Sequence, residues 1–494
     1  MGDLPLPEPA RIAMLFNSLP YILAFLPLTL AGWFWLARSS RRGGRLWLAG
    51  ASLVFYGWWD WRYLALLLGS VAFNYMAGRL IAAAALERRR LLLGAAIAVD
   101  LALLGWFKYA DFFRESLAAL AGTHWAPLGV ALPLGISFFT FTQIAFLVDV
   151  AAGKVREADP LDYLLFVSFF PHLLAGPVLH HAEMMPQFAD PRTARPRAEM
   201  VSTGLTLFLI GLVKKTVLAD GIAPVATLVF DATAHGGQPG AAEAWAAALA
   251  YSFELYFDFS GYSDMALGAA RLFGIVLPLN FASPYQAASP IEFWRRWHMT
   301  LSRFLRDYLY IPLGGNRLGR TRRYLNLFLT MLLGGLWHGA AWTFVAWGAF
   351  HGLLLMLNHA WRSIATRMGL ETVAASAPAR LVGWALTFLA VMLGWVLFRA
   401  DGFDTAGRIF AALAGHGGAF AALVPGREVW VELAALGAIA FLLPSSQSLV
   451  LGGPEAWRHL AWRPTPAWAL LLALGFVVAL GQMSDVSPFL YYRF

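Results

Sequence analysis

Long apolar stretches separated by short polar segments make up most of this chain. The apolar runs cover residues 12–37, 46–59, 64–85, 91–107, 132–150, 161–179, 324–338, 340–357, 381–398, 429–443 and 467–480. A helix needs about 20 apolar residues to cross the hydrocarbon core of a bilayer. Because runs of roughly this length recur along the whole chain, the pattern predicts an all-α, polytopic membrane protein.

Two of these runs contain residues that interrupt helices. They are Pro133, Gly135 and Gln143 in residues 132–150, and Pro171 and Pro177 in residues 161–179. Irregular backbone is tolerated at membrane depth only where it is buried in protein or lines a cavity. We therefore predict broken or re-entrant segments at both places. The number of crossings between residues 154 and 292 stays open, because Lys214 and Lys215 lie inside an apolar run.

Composition and charge support a membrane location. The chain has 494 residues, of which 59% are hydrophobic and 13% charged, and its formal net charge is +8. The basic residues cluster in short segments between apolar runs, which is a topology signal rather than a sign of nucleic-acid binding. We predict that residues 38–45, 315–323 and 362–380 face the cytoplasm and that both termini lie outside.

Several chemistries are excluded or disfavoured by the residues present. The chain has no cysteine, so thiol nucleophiles and thioester intermediates on the protein are excluded. His351 and His359 are spaced to share a helix face but lack a third ligand, and no HExxH sequence occurs. We therefore predict no metal and no tightly bound cofactor.

His338 is the residue that most strongly indicates chemistry. A helix starting at Tyr324 would carry His338 about 20 Å above the basic segment that precedes it, well inside the hydrocarbon layer. A titratable group at that depth is a candidate functional residue, although a histidine bonded to a neighbouring helix would look the same. His298 is expected at the cytoplasmic edge. Glycines at 334, 335 and 339 are expected to leave open space for a substrate beside His338.

Three carboxylates also lie in apolar surroundings. Glu254 and Asp258 are four residues apart, and Asp264 follows. Buried carboxylates require a partner. We expect a structural pair with an arginine or a tyrosine, with general acid or base work as the alternative.

The chain resembles the membrane-bound O-acyltransferase (MBOAT) family, in particular its bacterial branch of alginate O-acetyltransferases and teichoic-acid D-alanyl-transfer proteins. The resemblance extends from about residue 14 to the last residue. The matching segments are LPLGISFFTFTQIAFLVDV, LAGPV, YFDFSGYSDMALG, FASPYQAASPIEFWRRWHMTLSRFLRDYLYIPLGG, GGLWHGAAWTFVAWG, GWVLFRA and SPFLYYRF.

The resemblance implies a fold and a reaction. The fold would be a ring of about 11 or more transmembrane helices with re-entrant segments around a central tunnel. Residues 14–482 would form this membrane domain, preceded by an extension at 1–13 and followed by a tail at 483–494. The protein would be an O-acyltransferase of the bacterial inner membrane that takes an acyl group, expected to be acetyl, from acetyl-CoA or an acyl carrier protein thioester in the cytoplasm. The final acceptor would be an extracytoplasmic polysaccharide, reached with an SGNH-hydrolase-like acetyltransferase partner.

The same resemblance assigns roles to individual residues. His338 and His298 would be catalytic, with His338 as the base. Arg295, Arg296 and Arg303 would steer the donor's phosphates, and Trp337, Asp258 and Asp264 would line the tunnel.

The C-terminal tail resembles the Phe-x-Tyr-x-x-Phe ending of a small acyl-accepting protein in the D-alanyl-transfer systems. Phe489, Tyr491 and Phe494 fit this motif. Tyr491 is therefore the candidate acyl acceptor, and the two phenylalanines would anchor the tail in the outer mouth.

Two functions of other classes compete with this interpretation. A proton-coupled transporter or flippase would use the buried histidine and carboxylates as a relay, and a scaffold of a polysaccharide export complex would need neither histidine. The sequence does not identify the glycan.

Overall fold

Regular structure in the described part of the chain is entirely helical. A computed structural model describes residues 14–155, 158–174, 176–418, 426–453, 457, 459–483, 487, 489 and 490. Four of its helices are long and apolar enough to cross a membrane, namely Tyr21–Ser39, Arg62–Ala83, Leu86–Leu120 and Ala377–Arg399. The all-α class with several membrane-length helices is confirmed. The full number of spans, the ring and the tunnel stay predictions.

The described residues divide into two compact units. The first unit draws on Met1–Leu212, Tyr262–Pro278 and Arg463–Arg493, and the second on Val213–Gly261 and Leu279–Trp462. The helix Ala241–Leu272 contributes residues to both.

The first unit is built mainly from hairpins of apolar helices. The long helices Tyr21–Ser39 and Leu86–Leu120 contain the α-helical parts Leu26–Ser39, Leu86–Leu104 and Ala110–Leu120. The other helices are Arg41–Gly57, Ile136–Ala151, Pro160–Ser168, Phe170–Leu173, His181–Ala189, Ala198–Val213 and Pro466–Gly481, with a 3-10 turn at Pro191–Ala194. Short polar caps end one helix and begin the next. Ser40, for example, separates two helices, and its hydroxyl accepts a hydrogen bond from the Gly43 amide at 3.0 Å.

The second unit holds most of the basic motif. Besides the membrane-length helix Ala377–Arg399, it contains Asp220–Ala234, Pro290–Arg296, Met299–Leu305, Gly319–His338, Trp342–Arg367, Glu371–Ala374, Phe403–Leu413, Arg427–Leu442 and Ser446–Leu451, with a π-helical segment at Lys214–Ala219. Pro290 begins its helix in the first turn, where no intrahelical amide bond is lost. The Ser289 hydroxyl caps this helix by accepting from the Glu292 amide at 3.2 Å.

Several predicted spans differ from the observed helices, among them the run at 340–357, which is the helix Trp342–Arg367. In the first predicted span, residues 14–18 are not helical, and a π-helical segment begins at Tyr21. The span predicted to end at residue 107 instead continues through Lys108 to Leu120.

Of the two helix interruptions predicted from proline and glycine, the one in residues 161–179 is observed and the one within residues 136–151 is not. Residues 136–151 form one continuous helix, because Pro133 and Gly135 precede it and Gly135 takes a left-handed conformation at its start. Residues 161–179 are interrupted as predicted: the first helix stops at Ser168, and Pro171 lies in the first turn of the next.

The predicted basic loops are mostly helix ends. Arg41, Arg42 and Arg45 lie in the helix Arg41–Gly57, and Arg320, Arg322 and Arg323 lie in the first turns of Gly319–His338. The side of the membrane that these ends face stays a prediction.

Candidate functional site

His338 is the last residue of the helix Gly319–His338, and its side chain is enclosed by aromatic rings. The residue is 4% exposed. Ring centroids of Trp337, Trp347 and Phe398 lie 4.9, 5.0 and 5.3 Å from that of His338. The imidazole is therefore held in a nearly water-free, low-dielectric environment, where a proton transfer or charge change has large energetic consequences.

His298 lies beside His338 rather than at an exposed edge. It is fully buried, and the two imidazole centroids are 6.5 Å apart. The expected position of His298 at the cytoplasmic edge of the membrane stays a prediction, and its direct contact with the His338 site adds to it. The short helices Pro290–Arg296 and Met299–Leu305 fold the basic motif back on itself, and the chain turns between them at His298.

The turn at His298 uses an unusual backbone conformation. His298 has φ +44°, one of two non-glycine residues with positive φ in the described part of the chain. This region is unfavourable for residues that carry a Cβ atom and persists where surrounding contacts impose it. The backbone amide of Met299 is held by the Asn280 carbonyl at 3.0 Å. The strained turn therefore positions the imidazole.

Asn280 fixes the tautomer of His298. Its Oδ1 accepts from the Thr300 hydroxyl at 2.9 Å and from the Thr300 amide at 3.4 Å, which identifies that atom as the oxygen. The same oxygen lies 3.0 Å from Nδ1 of His298. Because Oδ1 only accepts, Nδ1 of the neutral ring carries the hydrogen and Nε2 carries the lone pair. Nε2 is buried with no hydrogen-bond partner among the described residues.

The glycines around His338 do not leave open space there. A Cβ at Gly335 would collide with the Phe344 carbonyl and with Gly348, and a Cβ at Gly339 would collide with the Phe344 ring. The expectation of a glycine-lined substrate wall is therefore wrong at these two positions. The small residues instead allow Gly319–His338 and Trp342–Arg367 to pack closely, as glycine does between membrane helices.

The three arginines expected to bind the donor differ in their surroundings. Arg295 is exposed, whereas Arg296 and Arg303 are partly buried. The Arg296 guanidinium bonds to Glu292 at 2.8 Å, one helical turn away. Arg295 is therefore the most accessible of the three to an anionic ligand.

The carboxylates expected near the tunnel are deeply buried. Asp258 is 1% exposed and pairs with the Lys215 ammonium at 2.7 Å, a lysine partner that the sequence analysis did not name. Lys215 also binds Asp220 at 2.7 Å. Asp264 is fully buried in the same helix as Asp258. Phe259, next to Asp258, contacts the His298 ring edge-on at 4.8 Å.

Only part of the proposed tail motif can be described. Phe489 is 1% exposed and stacks on Tyr262 with ring centroids 4.6 Å apart. The Asn17 side chain donates a hydrogen bond to the Ser487 carbonyl at 3.1 Å. The tail is therefore not free at Phe489. Tyr491 and Phe494 lie outside the described residues.

Sequence reasoning missed Asn280 and undervalued Trp347. No motif singled out Asn280, although it lies in the LPLNFASPYQ segment that leads into the basic motif. Tryptophan is common at membrane interfaces, so Trp347 carries no signal in the sequence, yet its ring contacts both His338 and His351. Among the described residues, no group of three or more metal-ligating side chains comes together.

Several membrane-length helices and a buried pair of histidines define a multi-pass helical membrane protein with an enclosed imidazole centre. The sequence profile of the membrane-bound O-acyltransferase family matches residues 102–398, and the chain belongs to this family. It is therefore an acyltransferase, and the resemblance seen in its motifs is confirmed.

Similarity to two of the following three relatives extends over nearly the whole chain. A peptidoglycan O-acetyltransferase from Helicobacter pylori is 39% identical, over 97% of this chain and 98% of that protein. A probable alginate O-acetylase AlgI from Pseudomonas putida is 40% identical, over 97% and 100%. A teichoic acid D-alanyltransferase from Streptococcus thermophilus is 30% identical, over 54% and 68%.

Proposed function

We propose that this enzyme passes an acetyl group from a cytoplasmic thioester, acetyl-CoA or an acetylated carrier protein, across the inner membrane for O-acetylation of an extracytoplasmic polysaccharide. The observation that carries the proposal is the buried histidine pair, with rings 6.5 Å apart and a lone pair on Nε2 of His298. The names of the H. pylori and P. putida relatives support acetyl as the acyl group and a glycan as the acceptor.

The histidines would move one proton during acyl transfer. His338 takes the proton from the acceptor hydroxyl as its oxygen attacks the thioester carbonyl, and a C–O bond forms. The C–S bond of the tetrahedral intermediate then breaks, and the imidazolium returns the proton to the departing thiolate. The products are an oxygen ester and a free thiol, so atoms and charge balance. General-base help of this kind contributes roughly 10²–10⁴ in rate.

His298 would support this step through its lone pair. Polarising the donor carbonyl would require an N–H on Nε2, but in the neutral ring the Asn280 contact directs the hydrogen to Nδ1. Nε2 is therefore suited to accept a hydrogen bond from the acceptor hydroxyl, or to stabilise the imidazolium that forms on His338. The aromatic walls strengthen such interactions because they exclude water.

A donor assay tests the reaction itself. Purified enzyme in lipid nanodiscs is given acetyl-CoA or an acetylated carrier protein, each with a labelled acetyl group, and the release of free thiol is measured. We expect thiol release from one of the two donors to be faster with enzyme than without it. Equal background release from both would contradict the proposal.

Tyr491 would be the first acceptor of the acetyl group, with Phe489 and Phe494 as its anchors. A phenol has a pKa near 10, so its ester transfers the acyl group onward more readily than a sugar ester does. An SGNH-hydrolase-like partner would then carry the group to the glycan.

The tail is tested by a matched pair of substitutions. Tyr491→Phe keeps the ring and removes the nucleophilic oxygen, so we expect it to abolish glycan acetylation, whereas Tyr492→Phe should change it little. Intact-protein mass spectrometry of wild type given donor should show a labile acetyl group on the C-terminal peptide. Full glycan acetylation by Tyr491→Phe would reduce the tail to an anchor.

The orientation can be tested by labelling, because the chain has no native cysteine. With the basic helix ends in the cytoplasm, Arg320→Cys should react with an impermeant maleimide only after cells are opened. Labelling of that cysteine in intact cells would reverse the proposed topology.

A further inference from the structure

Four arginines surround one recess in the first unit, and the histidine site uses none of them. The recess has a volume of about 810 Å³ and is lined by Arg38, Arg41, Arg192 and Arg195, with alanine and proline as the rest of its wall. None of the described residues that line it is acidic. We call it the arginine recess.

The local packing fixes the segments that carry these arginines. Arg38 and Arg41 lie on either side of Ser40, at the junction of Leu26–Ser39 and Arg41–Gly57. Gly44 lets the two helices approach, since a Cβ there would be 2.8 Å from that of Ala37. The opposite wall is the 3-10 turn Pro191–Ala194, which contacts both helices.

A buried contact holds that turn in place. The Trp33 indole, 2% exposed, donates to the Thr193 carbonyl at 3.2 Å. The Asp190 side chain caps the turn by accepting from the Arg192 amide at 2.8 Å. The recess is therefore set between fixed elements rather than formed by side chains alone.

Among the described residues, a carboxylate pairs with one of the four guanidinium groups. Arg192 forms an ion pair with Asp190 at 2.7 Å, and hydrogen bonds from Arg192 lower the pKa of Asp190. Arg38, Arg41 and Arg195 are exposed, and none of their guanidinium groups forms a hydrogen bond or ion pair with the described residues. Three uncompensated positive charges around one recess repel one another, and a bound anion removes that repulsion.

A role in orienting the protein in the membrane explains why arginines occur at these helix ends. It does not explain why four of them line the same recess. Orientation requires only an excess of Lys and Arg near helix ends. Convergence on a recess with two fixed walls suits bidentate recognition of phosphate, which the planar guanidinium matches better than ammonium does. The volume lies within the range of about 300–1,000 Å³ that is typical of small-molecule sites.

We propose that the arginine recess binds a phosphate-bearing ligand through Arg38, Arg41 and Arg195. The phosphate can come from the headgroup of an anionic phospholipid or from a soluble phosphate ester such as coenzyme A. The proposal does not depend on the acetyl-transfer reaction, because it concerns binding at residues outside the histidine site.

The test is retention of defined ligands by the full-length protein, measured by native mass spectrometry from detergent. One arm compares phosphatidylglycerol with zwitterionic phosphatidylcholine, and the other compares coenzyme A with pantetheine, which lacks phosphate. The variant is Arg38→Gln/Arg41→Gln/Arg195→Gln. The matched control, Arg88→Gln/Arg317→Gln/Arg320→Gln, removes the same charge from exposed positions outside the recess.

We expect the recess variant to bind one of the phosphate ligands at least about tenfold more weakly, since each charge-assisted hydrogen bond is worth roughly three- to tenfold at an exposed site. The control should change binding by less than about threefold. Loss of phosphatidylglycerol alone identifies a lipid site, and loss of coenzyme A alone identifies a site for a soluble phosphate ester.

Two further comparisons keep the result interpretable. Wild-type retention of the bound ligand should fall as salt rises from 0.05 to about 0.3 M, because exposed charges are screened over about 10 Å at 0.1 M. If the triple variant does not fold, Arg195→Gln, which lies outside the helices, is compared with Arg195→Lys and with Arg42→Gln. Equal retention of both phosphate ligands by recess and control variants would overturn the proposal. These arginines would then serve only to orient the protein in the membrane.

Discussion

Two buried polar clusters in the second unit differ in how completely their polar groups are paired. In the Lys215 cluster, one ammonium group lies 2.7 Å from carboxylate oxygens of both Asp220 and Asp258. In the histidine site, Asn280 binds one nitrogen of His298, and the other nitrogen has no hydrogen-bond partner among the described residues. Both clusters are enclosed, so burial alone does not distinguish them.

The difference separates a structural role from a chemical one. A buried charge is stabilised only when partners compensate its lost hydration, and in the Lys215 cluster they are present. Nε2 of His298 has a lone pair and no hydrogen-bond partner among the described residues, which suits it to accept a hydrogen bond beside His338 during proton transfer. The comparison assigns stability to Lys215 and reactivity to the histidines.

The sharpest way to break this comparison is to remove His338. We expect His338→Ala to lower acetyl transfer by about 10²–10⁴, the usual contribution of a general base. The thermal unfolding midpoint in detergent should change little by comparison, because the neighbouring rings can partly fill the space. The measurement is donor thiol release at matched protein abundance.

His359→Ala is the matched control, since His359 lies on the neighbouring helix Trp342–Arg367 and is only partly buried. It should retain nearly full activity. Near wild-type activity in His338→Ala would remove the chemical role assigned to the histidine site.

Removing Lys215 should produce the opposite pattern. Lys215→Met leaves the Asp258 carboxylate buried without its cation, and breaking a buried pair from one side typically costs about 3–5 kcal/mol of unfolding free energy. Activity per folded molecule should stay near wild type. The measurement is the unfolding midpoint in detergent alongside activity at low temperature.

The double variant Lys215→Met/Asp258→Asn sharpens the test because it removes both charges. It should recover much of the lost stability. A Lys215→Met protein that unfolds normally but is inactive would move the Lys215 cluster into the catalytic machinery.

The sequence predicted the parts of the fold that depend on local composition. The apolar run at 467–480 predicted Pro466–Gly481 nearly to the residue, and the run at 381–398 predicted Ala377–Arg399 except for its capped first turn. The predicted helix ends were wrong where tertiary contacts outweigh the helix-breaking or charge signal of a single residue. Lys108 did not end its helix, and Pro133 acts before its helix rather than within it.

The site was predicted in its residue types but not in its geometry. Depth along one helix identified His338. No local pattern reports that a left-handed turn at His298 brings the second imidazole to within 6.5 Å of the first. The partner of Asp258 was missed for a similar reason, since Lys215 is 43 positions away in sequence and was treated only as a topology signal.

The smallest expected loss of activity comes from substituting Asn280. This substitution tests whether Asn280 keeps the lone pair of His298 on Nε2. Asn280→Ala removes the acceptor that holds the hydrogen on Nδ1 of His298, so the ring can adopt either tautomer. A hydrogen bond worth about 1–1.5 kcal/mol corresponds to a loss of roughly tenfold in rate. Asn280 does not touch the reacting atoms in this scheme, so it is a positioning residue. The measurement is the pH dependence of kcat in both Asn280→Ala and Asn280→Asp.

The two substitutions should separate positioning from packing. Asn280→Asp keeps an oxygen that can accept from His298 and Thr300, so it should be more active than Asn280→Ala. Its carboxylate also favours the protonated form of His298, so the acidic limb of the pH profile should move to higher pH. A side chain that only filled space would lower kcat without moving that limb. Identical pH profiles for wild type and Asn280→Asp, with equal activity of the two variants, would show that the Asn280 contact is structural and would leave the comparison resting on His338 alone.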